Sequence, residues 1–103
     1  MVMPRTIPSL EVKGLGNNGS SAVGTANTQV RPANSLRKVL WIVNESDTDI
    51  YLALGRNALV STGILLKSAG GAIEFNLLTH WPGVINAIHA GTGDKTLTWQ
   101  EIS

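Results

Sequence analysis

Apolar and polar residues alternate in blocks from Lys38 to Gly55, and this stretch has the clearest strand pattern in the chain. Residues 39–43 (Val-Leu-Trp-Ile-Val) and 50–54 (Ile-Tyr-Leu-Ala-Leu) are rich in β-branched and aromatic residues, which favour strands. The insert 44–49 (Asn-Glu-Ser-Asp-Thr-Asp) is polar, and its side chains can bond to a turning backbone. The pattern therefore predicts a β-hairpin. Both faces of its first strand are apolar, which indicates a strand with a sheet partner and a second layer packed on it.

Short apolar segments separated by glycine-containing turns continue to the end of the chain. Residues 63–67 and 72–75 flank Ser-Ala-Gly-Gly, which predicts a second hairpin. Residues 84–90 and 96–102 each predict a further strand, and residues 29–31 can form a short first one. Six or seven strands without a convincing helix predict an all-β fold, either a small antiparallel β-sandwich or a jelly-roll-like barrel.

Residues 1–34 differ in composition and are predicted to form an extended N-terminal arm in front of a β-sandwich body, residues 35–103. Prolines, glycines and small polar residues leave this segment little apolar surface to bury. Residues 10–13, Leu-Glu-Val-Lys, alternate as a short strand does, so part of the arm is expected to pair with the sheet edge of another chain. The candidate partner-binding residues of the arm are its apolar and basic side chains Arg5, Ile7, Leu10, Val12 and Lys13.

Charge is divided unevenly along the chain. Up to residue 38 there are five cations against one acid, a net +4, and from residue 39 there are three cations against six acids, a net −3. This division fits either scattered surface charge or a basic arm that lies on an acidic neighbour. The total of +1 is too small to favour a nucleic-acid or membrane partner, and no apolar run approaches the about 20 residues of a membrane span.

Patterns that would indicate a catalytic, cofactor or metal site are weak. Residues 14–19 match G-x-G-x-x-G, but no apolar strand precedes them and a poor helix former follows, so a linker is favoured over a dinucleotide site. There is no cysteine, and His80 and His89 lack the spacing of a metal motif and are expected to be surface or interface residues. Asp47 and Asp49 fail the calcium-loop pattern beyond the first two positions. We therefore expect neither an enzyme nor a cofactor.

The three tryptophans are the remaining candidates for a binding surface. Trp41 and Trp99 lie in apolar strands and are predicted to be core residues. Trp81 lies in the sequence His-Trp-Pro-Gly of the loop 76–83 and is predicted to be exposed, where it contacts either another subunit or a ligand.

The predicted body is small, with about 65 residues after residue 38, so it buries a limited fraction of its surface. Charged residues make up 15 % of the chain, compared with about 25 % in a typical soluble protein. Both features favour self-association, and a closed cyclic oligomer is the simplest form of it.

The motif order of the body resembles a known group. Residues 39–55 contain an apolar strand, an Asn-x-Ser-x-Thr turn and a strand ending in glycine. They are followed by Gly-Ile-Leu-Leu at 63–66, Gly-Gly-Ala-Ile-Glu at 70–74, Gly-Val-Ile-Asn-Ala-Ile at 83–88 and Lys-Thr-Leu-Thr-Trp-Gln-Glu at 95–101. This order is similar to a small β-domain of tailed-bacteriophage virion accessory proteins. The resemblance covers the body and not the arm.

The resemblance implies a capsid decoration or cement protein, with head-fibre and tail roles as near neighbours. It further implies a homo-oligomer, with a trimer favoured, and an N-terminal arm that binds the major capsid protein or another virion subunit. The expected location is the virion, assembled in the host cytoplasm. The alternative is a receptor- or carbohydrate-binding β-module of a phage fibre or tail, in which Trp81 and the loop 76–83 form the binding surface.

Overall fold

A computed structural model describes residues 14–103, and within them the backbone forms eight β-strands and no helix. The strands are Gly16–Val23 (β1), Thr28–Arg31 (β2), Val39–Asn44 (β3), Ile50–Leu54 (β4), Ile64–Leu66 (β5), Gly71–Phe75 (β6), Ile85–His89 (β7) and Lys95–Ile102 (β8).

The strands form two four-stranded antiparallel sheets. Sheet A has the order β1-β8-β3-β6 and sheet B has the order β2-β7-β4-β5. The first strand thus pairs with the last, the second with the seventh, the third with the sixth and the fourth with the fifth. This is the connectivity of an eight-stranded jelly roll. The predicted fold class, an all-β sandwich or jelly-roll-like barrel, is confirmed.

The hydrophobic core lies between the two sheets. Leu40 and Ile42 of β3 alternate with outward-facing residues and are fully buried, as are Leu52 of β4 and Ile85 of β7. Burying a side chain of this size contributes about 1.5–3 kcal/mol. β7 is buried on both faces, and on its outer face Asn86 Nδ2 donates a hydrogen bond of 2.6 Å to the carbonyl of Arg56 in the loop 55–63.

Both predicted hairpins are wrong in their pairing, although the strands lie close to their predicted positions. β3 belongs to sheet A and β4 to sheet B, and the second predicted pair, β5 and β6, is divided in the same way. Asn44 explains the first crossing. Its buried Nδ2 donates to the carbonyls of Thr48, 2.8 Å away, and Leu66, 2.9 Å away, while its Oδ1 accepts from the backbone N–H of Ser46. These bonds satisfy backbone groups where the chain passes from one sheet to the other.

The prediction of an arm over residues 1–34 is wrong for the part that the structure describes. β1 pairs with β8 along its whole length, and β2 pairs with β7. Val23 and Val30 from these strands are buried in the core. The small residues of β1 reflect close packing, since a Cβ on Gly19 would come within 2.7 Å of the Trp99 ring. Residues 1–13 lie outside the described part of the chain.

Candidate functional site

The strongest candidate for a binding site is an apolar groove on the outer face of sheet A. Val39 and Trp41 face outward from β3, and Ile102 of β8 is paired with Val39. The segment after β6 forms the far wall. We call this feature the Trp41 groove; its volume is about 280 Å³, and it is lined by Val39, Trp41, Glu74, Asn76, Leu77, Leu78 and Ile102.

Large apolar side chains are exposed around this groove. Trp41 is 36 % exposed, Leu77 39 % and Leu78 93 %. Asn76 holds the two leucines in place, because its Oδ1 accepts hydrogen bonds from the backbone N–H groups of Leu78, at 2.8 Å, and Thr79, at 3.1 Å. This is an Asx turn, which is a local and stable structure. The leucines are therefore presented to solvent by an ordered turn.

Glu74 places a negative charge at the edge of the groove. Its Oε2 accepts from Asn76 Nδ2 at 2.9 Å, and its Oε1 accepts from Trp41 Nε1 at 2.7 Å. These hydrogen bonds, first that of Asn76 and then that of Trp41, lower the pKa of Glu74 below its ordinary value. The carboxylate is thus ionised at neutral pH and fixes the orientation of the indole ring.

The composition of the groove suits a protein partner. Contiguous exposed apolar side chains with a polar rim mark interaction surfaces, and tryptophan is enriched where such surfaces bind strongly. Among the seven lining residues there is one acid and no basic side chain. The complementary surface is therefore apolar with a nearby cation.

A second cavity of about 690 Å³ lies between the loop 55–63 and the ends of β4 and β5. It is larger than the Trp41 groove and is lined by the exposed Leu59 and by Arg56, but it contains no aromatic side chain and no acid. We favour the smaller groove because it combines an exposed aromatic ring, exposed leucines and a fixed charge.

The five candidate residues predicted in the arm, Arg5, Ile7, Leu10, Val12 and Lys13, lie outside the described residues.

The predicted exposure of Trp81 is wrong. Its ring is packed against the core, and its Nε1 donates a hydrogen bond of 3.0 Å to the Val84 carbonyl. Gly55 and Gly83 lie directly against the ring, and a Cβ at Gly83 would come within 2.7 Å of it. Trp81 thus anchors the loop 76–83 instead of presenting a free ring.

The prediction that Trp41 is a core residue is wrong, whereas Trp99 does pack against the core as predicted. Trp41 is exposed and forms the groove, because it lies on the outward parity of β3. Trp99 packs at the edge of the core, where the Arg31 guanidinium stacks 3.8 Å above its ring and its Nε1 donates to Ser21 Oγ. The prediction failed for Trp41 because both faces of β3 are apolar in the sequence. The pattern alone therefore does not distinguish the inner face of this strand from its outer face.

Two arginines from the cation-rich part of the chain before residue 39, Arg31 of the predicted arm and Arg37 just after it, contact an acid of the same chain. Arg31 Nε donates to Glu101 Oε1 at 3.0 Å, and Asn34 Nδ2 donates to Glu101 Oε2 at 2.8 Å. Arg37 is buried, and its Nε lies 3.3 Å from Glu101 Oε1, an ionic contact without hydrogen-bond geometry. Its terminal nitrogens donate to the carbonyls of Trp81, Gly83 and Pro32.

This cluster, Arg31, Asn34, Arg37 and Glu101, joins β2 and the segment after it to β8. Burial of Glu101 by itself raises its pKa, but the hydrogen bonds from Arg31 and Asn34 and the charges of the two arginines outweigh burial, so the pKa is lowered. The acidic neighbour of Arg31 and Arg37 is therefore Glu101 of the same chain.

Both histidines have hydrogen-bonded positions in the fold. His80 Nε2 lies 2.6 Å from the Arg37 carbonyl. His89 is fully buried, which contradicts the predicted surface position; its Nδ1 accepts from the Gly91 backbone N–H at 3.0 Å, so its Nε2 carries the proton and donates to the Gly93 carbonyl. His89 shapes the turn between β7 and β8.

Residues 14–103 contain no group of three or more histidine, cysteine, aspartate or glutamate side chains placed to hold a metal ion. In the same part of the chain no helix has the length and apolar character needed to cross a membrane.

Comparisons of the chain with models of protein families, with curated proteins and with solved structures found no match.

Proposed function

We propose that this protein is a structural virion protein, a capsid decoration or cement protein that binds and stabilises a shell through a self-associating β body and its N-terminal segment. The partner is the major capsid protein or another virion subunit, and a trimer is the favoured oligomer. The observation that carries the proposal is the Trp41 groove, an ordered apolar surface on a small β-sandwich.

Two further features support this proposal. The motif order of residues 39–102 resembles that of tailed-bacteriophage virion accessory proteins. Jelly rolls of eight strands are also a common architecture of viral capsid domains, although the fold alone does not determine a function. A compact core between two sheets provides the rigid body that a shell-reinforcing protein needs.

The test is reconstitution on particles that lack the protein. Purified full-length chain is mixed with such particles, and the bound fraction is measured by co-sedimentation. We expect saturable binding at a fixed ratio to the major shell protein, and loss of binding when residues 1–13 are deleted. A deletion of residues 1–34 is unsuitable, because it removes β1 and β2.

Leu78→Ser tests the contribution of the Trp41 groove to particle binding. Leu78 is almost fully exposed, so its replacement leaves the fold intact, and it should lower the bound fraction because it weakens the groove. Binding of full-length chain that does not saturate, or equal binding of full-length chain and the 1–13 deletion, would contradict the proposal.

A receptor- or carbohydrate-binding module of a fibre or tail is the second candidate, and the exposed face of Trp41 favours it. An indole face can stack on a sugar ring, and Glu74 and Asn76 place polar atoms beside it. The ring that carries this function is then Trp41 and not Trp81. A glycan screen by tryptophan fluorescence, with Trp41→Ala as the negative control, tests it, and a screen without binding would exclude it.

A further inference from the structure

We propose that copies of this chain associate through two different surfaces, with Leu78 of one copy inserted into the cavity beside Arg56 of the next copy. We call this the Arg56 cavity; it is the cavity of about 690 Å³ between the loop 55–63 and the ends of β4 and β5. The inference rests on the proposed function and deepens it, because it identifies the surfaces through which the β body self-associates.

The two surfaces lie at the same end of the sandwich. By the pairing of the strands, β1, β3, β5 and β7 begin at this end, and β2, β4, β6 and β8 finish there. The loop 55–63 leaves the end of β4, and the segment with Leu78 leaves the end of β6. The two loops meet where the Gly55 backbone N–H donates a hydrogen bond of 2.9 Å to the Val84 carbonyl.

Apolar side chains are exposed at this end and not at the opposite one. Eight large apolar side chains are exposed within residues 14–103, and six of them lie in segments at this end: Leu15, Leu36, Leu59, Val60, Leu77 and Leu78. The four loops of the opposite end, 24–27, 45–49, 67–70 and 90–94, contain none. Exposed apolar side chains gathered in one region mark an interaction surface. The asymmetry indicates that this end is covered in the assembled protein.

The charges of the two surfaces are complementary. Within residues 14–103, Glu74 has no basic partner and Arg56 has no acidic partner. The Arg56 cavity contains no acid, and the Trp41 groove, which Leu78 lines, contains no basic side chain. A contact between them brings one unmatched charge of each sign together, which favours this pairing of surfaces over a contact of either surface with itself.

Both surfaces are ordered before they meet. Asn76 fixes the turn that presents Leu78, as described above. The loop 55–63 is held from two sides, since Ala58 N–H donates to Asn27 Oδ1 at 2.6 Å and the Arg56 carbonyl accepts from Asn86 Nδ2 at 2.6 Å. Preformed surfaces lose little conformational entropy on binding. A cavity of about 150 Å³ already holds a benzene molecule, so the Arg56 cavity has room for a leucine side chain.

The contact requires a second copy. Leu78 is 93 % exposed and Leu59, in the lining of the cavity, is 62 % exposed, so neither surface is covered within its own copy. Because the contact joins two different surfaces, its repetition forms a ring when the rotation between copies closes. A trimer, the favoured oligomer, needs a contact of this kind.

The first test is sedimentation equilibrium of the full-length chain over a range of concentrations. Arg56→Gln is compared with Lys67→Gln, which removes the same charge at the opposite end, where Lys67 is 70 % exposed. We expect the wild type to self-associate, and Arg56→Gln and Leu78→Ser each to weaken association at least about tenfold. Lys67→Gln should associate as the wild type does. A wild type that remains monomeric, or equal association of Arg56→Gln and Lys67→Gln, would overturn the inference.

The second test is disulfide cross-linking, which the absence of cysteine allows. Leu78→Cys is mixed with Asn57→Cys, because Asn57 lines the cavity and is exposed. The control is Leu78→Cys mixed with Leu36→Cys, since Leu36 is 73 % exposed at the same end but outside the cavity. We expect the Leu78–Asn57 pair to cross-link at least about tenfold faster, because docking raises the local thiol concentration. Equal rates, or predominant Leu78–Leu78 disulfides, would contradict the contact.

The result is separable from the proposed function. A monomeric chain that binds particles saturably would refute the contact between copies and leave the decoration role intact. Association that Arg56→Gln weakens, in a protein that does not bind particles, would support the contact and refute the decoration role.

Discussion

Replacing Glu101 with glutamine is expected to destabilise the fold strongly, because this carboxylate neutralises two arginines in a buried position. Glu101 is 2 % exposed, and the Arg37 side chain is fully buried. In the variant, Arg37 keeps its bonds to three backbone carbonyls but loses its counter-ion. The amide group of the new glutamine also brings a donor toward Asn34 Nδ2, which is itself a donor.

The magnitude follows from the cost of leaving a buried charge without its partner. Removal of one member of a buried ion pair costs about 3–5 kcal/mol. The remaining carbonyl bonds of Arg37 place this variant near the lower value, about 3 kcal/mol. With a urea m-value of about 1.5 kcal/mol/M for a chain of this size, the unfolding midpoint is expected to fall by about 2 M.

The assay is urea unfolding followed by tryptophan fluorescence, with Asp47→Asn as the matched control. Asp47 pairs with Lys95 at 2.9 Å, but its side chain is 79 % exposed, so the same loss of charge is expected to leave the midpoint unchanged. The reasoning is refuted if the Glu101→Gln midpoint agrees with that of Asp47→Asn, because the cluster then contributes no more than a surface ion pair.

Three other perturbations test separate parts of the structure. The pKa of Glu101 is lowered in the folded state, so its contribution to the free energy of unfolding is complete above the ordinary carboxyl pKa of about 4.3 and is lost as the pH falls through the folded value. The difference in urea midpoint between wild type and Glu101→Gln should therefore shrink below about pH 4. A constant difference down to about pH 2 contradicts this. Gly63→Ala should lower the thermal unfolding midpoint more than Gly93→Ala. Both glycines have positive φ, but only at Gly63 would the new Cβ meet a backbone atom, the Leu52 carbonyl oxygen at 2.2 Å. Equal decreases in the midpoint of the two variants would exclude this clash. Asn44→Asp should destabilise by about 2 kcal/mol or more, since a carboxylate cannot donate to the two carbonyls that the amide binds, and an unchanged urea midpoint would show that the crossing does not depend on these bonds.

The strands of this fold could be predicted from the sequence because apolar, β-branched runs and glycine turns are local signals. The predicted strand at 50–54 matches β4, and that at 39–43 differs from β3 by one residue. Strand pairing could not be predicted in the same way. The polar insert 44–49 is expected to bond to its own turn, and Asn44 does so through Ser46 and Thr48. Its side chain also donates to the carbonyl of Leu66, 22 positions away, and this long-range bond has no local signature.

The segment that contains β1 was misjudged for a related reason. Its glycine- and serine-rich composition is shared by flexible linkers and by edge strands that pack closely under large rings, and only the position of Trp99 distinguishes the two. The candidate groove could not be predicted from the sequence either, because its walls come from three segments that are separate in the chain: β3, β8 and the turn after β6. The adjacent pair Leu77-Leu78 in a polar segment was the local signal that could have indicated an exposed apolar surface.

Quantitative mass spectrometry of purified particles tests the central claim most directly. The protein is measured against the major shell protein in particles from the source of this chain, after a high-salt wash that removes adsorbed material. The decoration account predicts a constant copy number in a simple ratio to the shell lattice. Absence from washed particles, or a ratio that varies between preparations, would contradict it.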